Sequence, residues 1–295
     1  YKMSYKNFIM NKFQKLLSKV IAILIPSLDK IIYNQYFNQP FTNAPLSNLQ
    51  TYYDLAQSAE KNTYSIDDVD LLEKNTGHSI NKDWLNSLAL STQIVIKKSD
   101  LNYAHGRVLY SVLRNYLSTF NQDLTKINII ETGTARGFSA ICMAKALADS
   151  GFEGSILTFD VLPHLKKMFW NCALDHTKGQ QSRQNLLGYW NDLVERYIIF
   201  IQGYTRHTLP KISLPRVNFA FLDGAHNYKD VLFEFDTISS VQKKGDIIIF
   251  DDYNKKKFPG VVKAVNYINN QKKYNITLIH NNITHRDYAV AKKIY

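Results

Sequence analysis

Cysteine is scarce in this sequence. The 295 residues include two cysteines, Cys142 and Cys172, and neither belongs to a CxxC or Cys/His cluster, which argues against a disulfide framework and a structural zinc site. Long apolar runs are lacking too. The most apolar stretch near the start, residues 16–25, is interrupted by Lys19 and followed by Pro26, so it is too short to span a bilayer.

Targeting signals are also lacking. No secretory signal is evident, and the cysteine usage indicates a reducing, cytoplasmic compartment. For residues 16–25 we expect a helix that packs on the domain or on a partner, with a peripheral contact at the inner membrane as the alternative. The oligomeric state is left open, and a homo-oligomer is one of the alternatives.

Acidic residues are outnumbered by basic ones. The sequence has 36 Lys and Arg against 25 Asp and Glu, a net charge of +11 at pH 7. A basic balance favours anionic partners such as nucleic acid, acidic substrates or anionic lipid, but a lysine-rich solvated surface explains the same excess. No RNA-binding module is recognisable, so we expect a small-molecule or glycan substrate and no nucleic acid.

The pattern of apolar residues changes along the chain. Residues 1–100 predict a helical N-terminal extension, with one helix beginning at Ser65 as its N-cap. Residues 101–295 predict one α/β domain in which a helix over 103–120 is followed by alternating strands and helices. We therefore expect a Rossmann-like, doubly wound, mostly parallel sheet that ends in an antiparallel hairpin. The predicted strands are 127–131, 155–159, 198–201, 218–222, 246–250, 276–280 and 288–292, and the helices between them are 138–148, 185–197, 230–241 and 261–270.

A glycine-containing turn, Glu131-Thr-Gly-Thr-Ala-Arg-Gly137, follows the first strand and opens a helix. Glycine lets the backbone turn sharply close to a ligand, and the helix N-terminus offers unpaired N–H groups to a carboxylate or phosphate. The spacing is GxxxG rather than the GxGxxG of a dinucleotide site. Glu131 would repel a pyrophosphate, but it suits a ligand with a cationic amine.

Acidic residues stand at the ends of three further strands. Asp160 ends the second strand, where a carboxylate commonly accepts hydrogen bonds from ribose hydroxyls; capping the next turn is its alternative role. Asp223 follows the fourth strand, and Asp251 and Asp252 end the fifth. If these carboxylates converge, their repulsion favours a bound cation, and oxygen ligands suit Mg²⁺, Mn²⁺ or Ca²⁺. The alternative is one buried capping aspartate and two solvated ones.

From residue 127 onward these motifs resemble the class I S-adenosylmethionine (SAM)-dependent methyltransferases. In that family the first turn wraps the methionine part of SAM, the acid after the second strand binds ribose, and the segment after the third strand frames adenine. The resemblance implies that the SAM-binding residues are Glu131, Gly133, Thr134, Gly137, Ser139, Asp160, Gly203 and Tyr204.

The residues at the ends of the fourth and fifth strands resemble a particular subgroup of these methyltransferases. Asp223-Gly-Ala-His-Asn-Tyr228 followed by Asp251-Asp-Tyr253 is similar to bacterial Mg²⁺-dependent sugar O-methyltransferases of the macrocin O-methyltransferase type, and to a wider DGxHxY group. The resemblance implies that Asp223, Asp251 and Asp252 bind Mg²⁺ and that Asp223 or His226 is the catalytic base. Ala225 departs from the antibiotic enzymes, which usually have an acidic residue there.

The predicted activity is methyl transfer to a hydroxyl of a sugar, glycan or natural product. An RNA methyltransferase and a non-catalytic, membrane-associated Rossmann-like protein are the alternatives. His105-Gly106-Arg107 begins the helix before the first strand. We expect this segment either to close over the cofactor carboxylate or the substrate, or to be a plain surface helix start.

Overall fold

The computed structural model describes residues 14, 16–21, 23, 24, 44–120 and 126–295. The chain divides into two units, residues 1–41 and residues 42–295. The second unit contains a seven-stranded sheet whose strands are β1 Ile127–Thr132, β2 Gly154–Asp160, β3 Ile198–Gln202, β4 Phe219–Leu222, β5 Ile247–Tyr253, β6 Tyr274–Ile279 and β7 Asp287–Lys293. The strand order is β3-β2-β1-β4-β5-β7-β6, so the predicted α/β fold class is confirmed.

The helices of the second unit lie on both faces of this sheet. Its α-helices are α1 Leu49–Thr63, α2 Asp67–Thr76, α3 Lys82–Thr92, α4 Ala104–Leu117, α5 Phe138–Ser150, α6 Leu174–Lys178, α7 Arg183–Leu186, α8 Asn191–Tyr197, α9 Thr205–Thr208, α10 Tyr228–Ser239 and α11 Pro259–Asn270. The helix predicted over 185–197 is broken, because a 3₁₀ turn at Gly188–Trp190 separates α7 from α8.

Alternate side chains of the central strands fill two core layers. Ile129 and Phe221 face one layer, which also contains apolar residues of α4 and α5. Ile130 and Phe250 face the other layer, where they pack with α10 and α11. Strands that are buried on both faces account for the nearly continuous apolar runs in the sequence.

The C-terminal hairpin is antiparallel as predicted, and its second strand lies inside the sheet. β7 pairs with β6 and also with β5, where Tyr253 stands opposite Asp287. The residues that link β6 to β7 therefore lie at the carboxyl end of β5. This placement brings the link, residues 280–286, to the edge of the sheet where ligands bind in doubly wound folds.

The boundary that the sequence suggests at residue 100 stays a prediction. The helices α1, α2 and α3 bury apolar side chains in the same core layer as α4 and α5. The prediction that Ser65 caps α2 is wrong. Ile66 stands at the cap, and the Ser65 hydroxyl donates instead to the carbonyl of Lys61 at 2.7 Å.

The apolar stretch 16–25 lies in the first unit and is described in part. Its described residues 16–21, 23 and 24 are helical, and Leu16 and Ile23 are 62% and 70% exposed. Among the described residues, no helix combines the length and the apolarity needed to cross a membrane. The peripheral membrane contact stays a prediction.

Candidate active site

A cleft opens at the point where the strand order reverses. β1 pairs in parallel with β2 on one side and with β4 on the other, and the crevice beyond such a switch point is the usual ligand site of this architecture. The cleft has a volume of about 180 Å³. It is walled by the turn after β1, the ends of β4 and β5, and the link between β6 and β7.

The turn after β1 is shaped by two glycines in left-handed conformations. Gly133 has φ +90° and Gly137 has φ +93°. A Cβ on Gly133 would lie 2.3 Å from the carbonyl oxygen of Asp223, so glycine is required for the turn to pack against the end of β4 as well as for approach to a ligand. Thr134 lines the cleft from this turn, and Ser139 lines it from the first turn of α5.

Glu131 lies beneath the turn and is fully buried. Its Oε2 accepts a hydrogen bond from the Thr158 hydroxyl, which is itself 2.5 Å from the Thr134 hydroxyl. Burial raises the pKa of Glu131 to about 7, against hydrogen bonds from the Ser139 and Thr158 hydroxyls. Its Oε1 is buried and makes no aligned hydrogen bond in the described part of the chain, although the Ser139 hydroxyl is near enough to lower the pKa of the carboxyl. An unsatisfied carboxylate oxygen of this kind suits a cationic ligand group.

Asp160, at the end of β2, holds two backbone segments. Its Oδ2 accepts from the amide of Ala135 at 2.6 Å, and its Oδ1 accepts from the amide of Leu162 at 2.7 Å. The Arg183 guanidinium lies 3.9 Å from Oδ2. Burial raises the pKa of Asp160, against the charge of Arg183. The capping role is therefore present, and each oxygen keeps a lone pair that a ribose hydroxyl could use.

Gly203 and Tyr204 lie at the neighbouring strand end. The Gly203 amide donates to the carbonyl of Asp160 at 2.8 Å, with φ +143°. Tyr204 is half-buried and precedes α9. Both residues flank Asp160 and lie outside the walls of the 180 Å³ cleft, so a role at adenine remains a prediction.

Three side chains from the ends of β4 and β5 converge at the cleft, where Asp223 and Asp252 belong to the wall and His226 stands behind it. Ligand atoms of Asp223, His226 and Asp252 all lie within 4.8 Å of one another. The Nε2 atom of His226 is 3.0 Å from Asp252 Oδ2 and 3.8 Å from Asp223 Oδ1. That nitrogen is buried and makes no aligned hydrogen bond to any described residue. A proton or a metal ion could therefore occupy the space between these groups.

The predicted triplet Asp223, Asp251 and Asp252 is brought together, but His226 takes the place of Asp251 in the tightest cluster. Asp251 also lines the cleft. Burial and the charge of Asp252 raise the pKa of Asp251 to about 7. Burial, Asp251 and Asp252 likewise raise the pKa of Asp223. Arg286 opposes these effects, because its Nη1 lies 2.9 Å from Asp252 Oδ1.

Sequence reasoning missed the contribution of the β6–β7 link. Arg286, Asn281 and Thr284 line the cleft, but the sequence presented this segment only as a short polar connection. The strand order brings it to the site, because β7 enters the sheet beside β5. Asp252, with φ +57°, stands at an irregularity of the β5–β7 pairing, and the link meets it there.

The two ends of the segment His105-Gly106-Arg107, at the start of α4, have different roles. His105 lines the cleft, and burial, Arg286 and Lys97 lower its pKa to about 3, so the imidazole is neutral. Arg107 does not reach the cleft. Its Nη2 lies 2.6 Å from Glu73 and 2.7 Å from Asp70, and it fastens α4 to α2.

Residues 130–253 match the sequence model of the family Methyltransf_24, described as a methyltransferase domain. The match covers 124 of the 295 residues. No curated protein matches the chain in sequence.

Solved structures share the fold of a large part of this chain. One is the O-methyltransferase TomG from Streptomyces achromogenes, involved in tomaymycin synthesis and solved with SAM. It is 14% identical, with a TM-score of 0.50 over 74% of this chain and 92% of TomG. Another is the O-methyltransferase NovP, which is 17% identical, with a TM-score of 0.51 over 72% of this chain and 98% of NovP.

Proposed function

We propose that the protein is a SAM-dependent O-methyltransferase that acts on a hydroxyl of a sugar, glycan or natural product. The observation that carries the proposal is the convergence of Asp223, His226 and Asp252, because Asp223 and Asp252 line the same cleft as Gly133 and Thr134 of the glycine turn. The glycine turn would bind SAM, the methyl donor. The adjacent carboxylates and imidazole could accept the proton that a hydroxyl acceptor loses during methyl transfer.

The cofactor is held by the turn after β1 and by the end of β2. The buried and unsatisfied Oε1 of Glu131 suits the ammonium of SAM. The first amides of α5 suit its carboxylate. Asp160 has lone pairs for the ribose hydroxyls. In this arrangement we expect the sulfonium to face the cleft that Ser139 and Asp223 line.

The acceptor hydroxyl loses its proton to this chain as its oxygen bonds to the methyl carbon and the sulfur–carbon bond breaks. Asp223 is the best-placed base, because burial and two neighbouring carboxylates raise its pKa and make it more basic than an ordinary aspartate. His226 is the second candidate, with Asp252 3.0 Å from its Nε2. Arg286 holds the other oxygen of Asp252.

A divalent metal fits the same residues. Two carboxylates and an imidazole nitrogen without an aligned hydrogen bond form a plausible ligand set, and Asp251 stands beside them. Imidazole favours Mn²⁺ over Mg²⁺ within such a set. A metal bound there would lower the pKa of the acceptor hydroxyl, while Asp223, His226 and Asp252 would hold it in place.

Calorimetric titration of the protein with SAM tests the proposal, in EDTA and then with Mn²⁺ or Mg²⁺. We expect micromolar SAM binding without metal, and tighter binding of acceptor or faster SAM turnover when a metal is added. No SAM binding at millimolar concentration would overturn the methyltransferase proposal. SAM binding with no metal effect would overturn metal assistance alone.

A further inference from the structure

A second cavity, of about 500 Å³, adjoins the active-site cleft. The two spaces share Thr284 and Arg286 as walls. A molecule whose hydroxyl reaches Asp223 in the cleft can therefore extend past Arg286 into the second cavity. A volume of this size is typical of a site for a small molecule.

The second cavity is basic, and we call it the basic pocket. Its walls carry Lys98, Lys257 and Arg286, with His285 beside them and Asp100 as the one carboxylate. Both lysines are exposed, and neither forms an ion pair with a described residue. Of the three cations, Arg286 is paired with Asp252 at 2.9 Å, and the two lysines carry the charge that no described carboxylate balances, whereas the neighbouring cleft is dominated by carboxylates.

The basic pocket is held in shape by Asn254. Its side-chain oxygen accepts hydrogen bonds from the amides of Lys256 at 2.9 Å and Lys257 at 2.7 Å. Its side-chain nitrogen donates to the carbonyl of His285. One side chain thus fastens the loop after β5 to the β6–β7 link, and the loop supplies Lys257 and the link supplies Arg286 to one cavity.

SAM binding does not require the cations of the basic pocket. SAM has one carboxylate, which the amides at the start of α5 can bind, and no residue of the β1 turn lines the basic pocket. The acidic cluster does not need the lysines either, since Arg286 and His226 already lie 2.9 Å and 3.0 Å from the two oxygens of Asp252. The remaining lysines suit a phosphate or carboxylate on the outer part of the acceptor.

We propose that the acceptor is an anionic hydroxyl compound whose phosphate or carboxylate binds Lys98, Lys257 and Arg286 while its hydroxyl lies at Asp223. This proposal rests on the methyltransferase function proposed above. It narrows the acceptor from sugars and natural products in general to phosphorylated or carboxylated ones of small size.

The test compares two double variants of the full chain that each remove two exposed lysine charges. Lys98→Gln/Lys257→Gln changes the basic pocket. Lys243→Gln/Lys244→Gln is the matched control, because both residues precede β5 at the opposite edge of the sheet. Each protein is loaded with S-adenosylhomocysteine and titrated by calorimetry with inorganic pyrophosphate. Glucose, glucose 1-phosphate and glucuronate follow as matched neutral, phosphorylated and carboxylated probes.

We expect pyrophosphate and at least one anionic sugar to bind the wild type at least tenfold more tightly than glucose. That advantage should disappear in the pocket variant and persist in the control. Equal binding of glucose and its anionic forms, no binding of pyrophosphate at 10 mM, or equal losses in both variants would overturn the proposal.

Two further measurements distinguish a failure of the proposed methyltransferase function from a failure of the anionic-acceptor proposal. SAM titration of the same proteins reports the proposed function, so a protein that binds SAM normally but ignores pyrophosphate refutes the anionic acceptor alone. A short RNA oligonucleotide that binds more tightly than every small anion, and is lost in the pocket variant, would also overturn the small-acceptor proposal. Phosphate and carboxylate are distinguished by which sugar probe binds.

Discussion

Replacing Glu131 by glutamine should weaken SAM binding while leaving the fold intact. The buried Oε1 of Glu131 makes no hydrogen bond to the described residues, and we assign it to the ammonium of SAM. A hydrogen bond to a charged group contributes about 1.5–3 kcal/mol, so Glu131→Gln should raise the SAM Kd by roughly 10- to 150-fold. Thr158 can still donate to the amide oxygen of the variant.

The same change should not destabilise the ligand-free protein above pH 7. Burial raises the pKa of Glu131 from 4.5 to about 7. Because its pKa is higher in the folded protein than in the unfolded chain, this carboxyl favours folding more at low pH, where it is protonated, than at high pH. That contribution is lost as the pH rises through about 7. At pH 8 the ionised side chain costs up to about 3 kcal/mol, which the neutral amide avoids, so the Tm should stay equal or rise.

SAM affinity of the wild type should also depend on pH. Below about pH 7 the Glu131 carboxyl is protonated, and above about pH 8 the α-amino group of SAM loses its proton. We therefore expect the tightest binding between these values, and little loss of affinity on acidification in Glu131→Gln.

Calorimetry over pH 5.5–9 and thermal denaturation of the same samples would measure these effects. Glu195→Gln, an exposed substitution on α8, is the control and should change neither quantity. A Glu131→Gln protein that binds SAM within twofold of wild type would refute the reasoning. So would a loss of affinity that is matched by a fall in Tm, because the effect would then be structural.

Three further predictions concern the rest of the site. Asp223→Asn should reduce turnover at least a hundredfold with SAM affinity within threefold of wild type, measured as S-adenosylhomocysteine release; unaltered turnover would remove Asp223 as base. Gly133→Ala should lower stability by about 2 kcal/mol or more, because its Cβ would lie 2.3 Å from a backbone oxygen; Gly188→Ala, with open space around it, should change the denaturant midpoint little. Asp160→Ala should lower both Tm and SAM affinity, and an unchanged SAM Kd would disprove its contact with ribose.

The sheet could be predicted because its signals are local. β1, β2, β4 and β5 are short apolar runs with polar residues at their ends, and strands buried on both faces require such runs. The helices α1 and α3 gave no comparable signal. Their apolar residues are interspersed with Asn, Gln and Ser, and their place in the core depends on packing against α4 and α5 rather than on their own sequence.

The site could be predicted in part for the same reason. Asp223 and Asp252 stand at strand ends, so the fold class alone brings them together. Arg286 could not be assigned, because its position depends on β7 entering the sheet between β5 and β6. The basic pocket could not be predicted either, since Lys98 and Lys257 are 159 positions apart in the sequence and line one cavity only in the folded chain, where Asn254 fastens the loop after β5.

A crystal structure of the protein with S-adenosylhomocysteine would test the central claim most directly. The account predicts that the amino group of the ligand lies within hydrogen-bond distance of Glu131 Oε1, that its ribose contacts Asp160, and that its sulfur faces the cleft containing Asp223. Ligand bound elsewhere, or with its sulfur turned away from Asp223, would contradict the account.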